Sequence, residues 1–173
     1  MRLPRLSGDA IEIAFLPALR SRRGKLLPGH RDGVEIHAAS FVRRRRIVFD
    51  TALLRRPREL ERIFVHELFH FAWVRLGNAG RRAYEEIVAA EIRHGILGET
   101  GWSAESRKVR LDGQTARRRT RRWREYVCES FCDTAACLLG PSRRPKECTL
   151  SAGAIEARRR WFTAAGFMRR IPV

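Results

Sequence analysis

Hydrophobic and polar positions change character at about Asp50. Before it, apolar residues come in short groups broken by Gly and Pro; after it, they recur at helical spacing. Glu35–Ala39 and Ser40–Phe49 read as strands. The second alternates Phe41, Arg43, Arg45, Ile47 and Phe49 with Val42, Arg44, Arg46 and Val48, a mixture that suits an edge strand blocked by charge. Pro57, followed by Glu59 and Glu61, opens a helix that Gly77 closes. This helix is apolar nearly all round from Ile63 to Val74, which predicts a central position. A second helix is expected over about Arg81–Ile96, a loop over Gly98–Gly113, and a third helix from near Thr115 to Gly140-Pro141. Ser151 caps a last helix that ends at Gly166. The pattern predicts an α+β fold: one domain over residues 1–173, with a small N-terminal antiparallel sheet packed on a mainly helical body.

Inside the central helix stands Ile63-Phe64-Val65-His66-Glu67-Leu68-Phe69-His70-Phe71-Ala72. Side chains four apart share a helical face, so His66 and His70 can address one ion. Glu67 then sits beside the ion, placed to take a proton from the attacking water. Burying three ionisable side chains in an apolar helix costs several kcal/mol unless they are paired or bound to metal. Zinc with two histidines requires a third protein ligand and leaves a fourth position for water. The third helix offers Glu125, Glu129 and Asp133 along one face. Glu125 offsets the basic run before it. Glu129 suits the role of ligand, and Asp133 that of acceptor for a ligating imidazole. The metal would lie between two helices.

His66-Glu67-Leu68-Phe69-His70 with a downstream Glu129-Ser130-Phe131-Cys132-Asp133 resembles the gluzincin group of zinc metallopeptidases. The stretch from Glu129 to Gly140-Pro141 is also similar to small bacterial ImmA/IrrE-type metallopeptidases. The resemblance covers about a fifth of the chain. It implies a zinc metallopeptidase acting on a protein or peptide, with Zn2+ held by His66, His70 and Glu129 and with Glu67 as general base. It also implies a substrate-aligning edge strand ahead of the active helix, here Ser40–Phe49. His70 and Glu129 are further apart than in thermolysin-like enzymes. Glu91, nearer that spacing, competes as third ligand although Gly95 stands where a second acid would be. His94 competes too, because SprT-type proteases complete their site with a third histidine. For the oxyanion, Tyr126, Tyr84 and an arginine are all candidates.

Composition adds a second theme. Lys+Arg number 36 against 19 Asp+Glu, for a formal net charge of +17, and only three of the 36 are lysines. Clusters occur at Arg43–Arg46, Arg117–Arg124, Arg143–Arg144 and Arg158–Arg160, while single arginines appear in every segment. The even spread favours compositional bias; the stripe Arg117, Arg121 and Arg124, with Trp123 nearby, could meet phosphates. A rival reading is therefore a nucleic-acid-associated protein whose histidine motif is structural, and a hybrid is a protease acting on DNA-bound proteins. Asp9, Glu12 and Pro17 interrupt the first apolar stretch, and no run spans a bilayer, so no membrane association is expected. Four cysteines, without a Cys-x-x-Cys pair, read as buried hydrophobes. The location expected is cytoplasmic.

Overall fold

The computed structural model describes residues 3–23, 25–29, 32–112, 114–141 and 146–173. Its architecture is α+β, with small antiparallel and mixed sheets packed on a helical body. The N-terminal third supplies β1 (Arg5–Ser7), β2 (Glu12–Leu16), β3 (Arg20–Arg22), β4 (Lys25–Leu26), β5 (Val34–Glu35), β6 (Ala38–Phe41) and β7 (Arg46–Asp50). The sheet that matters for the site has the order β2-β7-β6. Here β2 runs parallel and β6 antiparallel to β7, so this sheet is mixed where a purely antiparallel one was expected. β3 pairs antiparallel with β4 and β5. β1 pairs parallel with β8 (Arg170–Pro172), which joins the two ends of the described chain.

The expected strand over Ser40–Phe49 is instead two strands. A short 3-10 turn at Val42–Arg44 and Arg45 in the left-handed region (φ 49°) fold β6 back onto β7. Arg45 holds that conformation with its own contacts: Nε donates to the Ala10 carbonyl at 3.0 Å, and its carbonyl accepts from Glu12 N–H at 2.8 Å. The strand pattern missed this because the turn contains no Gly, Asn or Pro to mark it. Of the expected edge strand, only Ser40 and Phe41 lie on an edge, in β6, whereas Arg46–Phe49 belong to β7, which is paired on both sides.

Among the described residues, five α-helices follow. α1 (Pro57–Arg75) begins with Pro in its first turn, and Gly77 turns the chain out of it at φ 71°. α2 (Gly77–Arg93) starts earlier than expected, immediately after that turn. The expected loop Gly98–Gly113 contains a short helix, α3 (Trp102–Lys108). α4 (Arg121–Leu139) starts later than Thr115, because Arg119 adopts a left-handed φ of 45° and Thr120 caps the helix by accepting from Trp123 N–H. Arg117 thus lies outside α4, and the expected single-helix arginine stripe is broken. α5 (Ala152–Ala164) is capped by Ser151 as expected. Arg143 and Arg144 lie outside the described residues.

The core sits where α1 packs on α4. Phe69, Phe71 and Phe131 are fully buried, and Phe131 stacks on Phe162 of α5 with ring centroids 5.1 Å apart. Ile47 and Phe49 of β7 close the core from the sheet side. Among the described residues, no helix is long and apolar enough to cross a membrane.

Candidate metal centre

The α1–α4 packing that forms the core also sets the site. On α1 the apolar positions Val65, Leu68, Phe69 and Phe71 face inward and fix the helix rotation. His66 and His70, one turn apart, then lie together at the edge of that interface, with ring centroids 5.1 Å apart. α4 brings Glu129 and Asp133 against His66, and Cys128 and Cys132 against His70. His66 Nδ1 lies 2.8 Å from Asp133 Oδ1, and His66 Nε2 lies 3.2 Å from Glu129 Oε2. Glu125, by contrast, is exposed and pairs with Arg121 at 2.7 Å, so it belongs to the surface.

Asp133 is buried and doubly engaged: its second oxygen accepts the Ala104 N–H of α3 at 2.8 Å. Gly101, just before α3, makes this possible. A Cβ there would fall 2.5 Å from the Asp133 carboxyl carbon. α3 also sends Arg107 to Glu129, at 3.2 Å.

These contacts polarise the groups. Burial opposes a charged His66, but Asp133, Glu129 and Glu67 together outweigh it and hold the imidazole well above its usual pKa. Burial likewise opposes ionised Glu129, yet the His66 hydrogen bond and the charges of His70, His66 and Arg107 bring it down to about 2. Glu129 is an anion already in place.

Two cysteines of α4 complete the surroundings. His70 Nδ1 lies 3.5 Å from Cys132 Sγ and 3.7 Å from Cys128 Sγ. His66, His70 and Cys132 each bring one donor atom within 4.8 Å of the others, a group that could hold a metal ion. In the sequence these cysteines read only as small buried hydrophobes. Their i, i+4 spacing one turn from Glu129 was the available signal. Burial drives the Cys132 thiol well above its ordinary pKa, whereas the Cys132 hydrogen bond and His70 lower Cys128 to about 6 despite burial.

The other candidates stand elsewhere. Glu91 is held by buried Arg158, at 2.9 Å from Nε and 2.5 Å from Nη2, so its carboxylate is already satisfied. His94 is exposed at the end of α2 and donates from Nδ1 to the Ala90 carbonyl. Neither lines the site cleft. Arg158 itself, read from sequence as part of a basic surface cluster, is fully buried and also pairs with Glu99 at 2.7 Å. Tyr126 donates to Glu99 at 2.5 Å and Tyr84 hydrogen-bonds to Ser130 and Thr134, and both are buried away from the cleft.

The cleft has a volume of about 540 Å³, within the ordinary range for ligand sites. His66, His70 and Glu129 form part of one wall and β6 another. Glu67 lies between them, with the Ser40 hydroxyl of β6 2.6 Å from its Oε2 and 3.0 Å from its carbonyl oxygen. Arg62 and Arg107 are cations at the rim. None of the protein-family models, curated proteins or solved structures compared with the chain matches it.

Proposed function

We propose that the chain is a zinc-dependent metallopeptidase, with zinc held by His66, His70 and Glu129 and with Glu67 as general base. The observation that carries this reading is the doubly fixed His66. Its Nδ1 is anchored by Asp133, and its Nε2 faces an ionised carboxylate at 3.2 Å. Ligand atoms about 2.0–2.1 Å from a tetrahedral zinc lie about 3.3 Å from each other. The His66–Glu129 pair thus has the separation that two ligands of one ion adopt, with the usual carboxylate behind the histidine. Two imidazoles and a carboxylate form a donor set that suits zinc and leaves a position open to the cleft.

Zinc at this place supplies a polarised scissile carbonyl and a water whose pKa falls toward about 7. The chain's own groups do the rest. Glu67 takes the proton of the attacking water and passes it to the leaving amine. β6, an edge strand along the cleft, offers backbone groups on which an extended peptide aligns. Arg107, which lines the cleft and pairs with Glu129, takes the oxyanion-stabilising role in this reading, since Tyr126 and Tyr84 do not line the cleft.

A second reading has its own observation: Cys132 is within 4.8 Å of both histidine donors. A His66–His70–Cys132 site would replace Glu129 by a thiolate as third ligand and would likewise leave a fourth position. Glu129 lines the cleft and Cys132 does not, which favours Glu129 as the ligand of a site open to substrate.

The test is zinc content together with cleavage of fluorescein-labelled casein. Wild type is expected to bind about one zinc per chain and to cleave, and Glu67→Gln to keep the zinc and lose cleavage by about 10²-fold or more. Zinc below about half an equivalent after loading, or cleavage retained in Glu67→Gln, overturns the reading.

A further inference from the structure

A second concavity, of about 290 Å³, lies between the end of α1, the start of α2 and the start of α4. It shares no residue with the metal cleft. Four arginines line it, Arg81, Arg82, Arg119 and Arg124, against one acid, Glu85. Two of the four are fixed in advance. Arg81 donates to the carbonyls of Trp73 at 2.9 Å and Val74 at 2.7 Å, and its guanidinium lies over the Trp73 ring. Arg119, in its left-handed backbone conformation, grips Glu85 with two bonds of 2.8 and 2.6 Å. Glu85 also accepts from Trp123 Nε1 at 2.6 Å, so the single acid is fully engaged. Arg82 and Arg124 have no acidic partner among the described residues.

Cations that converge in a concavity repel one another, and a protein gains nothing by directing them there without an anion to receive. Compositional bias accounts for arginines scattered singly over the surface, such as Arg75 and Arg93. It does not account for four in one pocket. We infer that this pocket is a site for the phosphate backbone of nucleic acid. Guanidinium forks match phosphate oxygens in pairs. The Trp73 ring already carries Arg81 and packs on Phe131, so it is not free to stack a base. Recognition is therefore of backbone rather than sequence.

A chain of phosphates fits better than one free phosphate. Arg119 and Arg124 belong to the run Arg117–Arg124, which has six arginines in eight positions. Within it only Arg119 and Arg121 are ion-paired to an acid, with Glu85 and Glu125. Exposed Arg117 and Arg118 continue the positive surface beyond the pocket.

The experiment is fluorescence anisotropy of a short fluorescein-labelled single-stranded DNA of mixed sequence, titrated with the full chain at several salt concentrations. It reads no cleavage, so it stands or falls apart from the peptidase proposal. Arg82→Gln/Arg124→Gln is expected to weaken binding about tenfold or more and to reduce the salt slope by about 1.4, the loss of two phosphate contacts. Arg55→Gln/Arg93→Gln removes the same charge from exposed positions elsewhere and is expected to change affinity by less than about threefold. Unchanged thermal unfolding of both variants shows that neither effect is misfolding. Equal weakening in the two double variants, or no binding by wild type at low salt, overturns the site. Tighter binding to anionic phospholipid vesicles than to DNA overturns the nucleic-acid assignment.

Discussion

Asp133 carries three constraints at once. It orients His66, accepts the Ala104 N–H in the first turn of α3, and leaves no room for a side chain at residue 101. Asp133→Ala is expected to cut zinc affinity by about 10–100-fold, measured by competition with a chelating fluorophore. Gly101→Ala should do much the same without touching any ligand, because its Cβ must displace the Asp133 carboxylate. Gly153→Ala, where an added Cβ meets nothing within 4 Å, is the control and should leave affinity unchanged. An unaffected Gly101→Ala would mean that Asp133 does not position the histidine. At this scale the sequence was informative wherever helical period decides neighbours: His66 with His70, and Glu129 with Asp133. It was silent on Gly101, since only the approach of two segments distant in sequence makes that glycine necessary.

At the scale of elements, α1 could be read end to end because Pro57 and Gly77 mark its limits with backbone chemistry. The break within Ser40–Phe49 could not, since Arg45 takes its left-handed turn through contacts with β2. Nor could the pairing of Glu91. It looked available as a ligand until Arg158, 67 positions away, came against it. That buried cluster ties α5 to α2 and to the segment before α3. Burial resists ionisation of Glu99, but Arg158, Tyr126 and Lys108 prevail and lower its pKa below the usual value. A depressed folded pKa stabilises above the unfolded value and is lost as pH falls through the folded one. Glu99→Gln is accordingly expected to lower thermal stability near neutral pH, by about 3–5 kcal/mol for a broken buried pair. The gap to wild type should close as pH drops below about 4. A gap that stays constant down to acid pH would show that Glu99 is not ionised in the fold.

Over the whole molecule, charge and chemistry are separated. The net charge of +17 resides mainly on exposed helix faces and turns, and one of its densest parts borders the arginine pocket. The cleft is lined by acids and histidines, with β6 along one side. On the proposed reading, the sheet edge beside the two-histidine helix would hold an extended peptide near a metal. A basic flank on a different surface would hold it near nucleic acid.

Zinc-edge X-ray absorption of the zinc-loaded chain distinguishes Glu129 from Cys132 as the third ligand. The expected first shell contains only nitrogen and oxygen at about 2.0–2.1 Å, from His66, His70, Glu129 and water. A sulfur shell at about 2.3 Å would place Cys132 on the metal and contradict Glu129 as the third ligand.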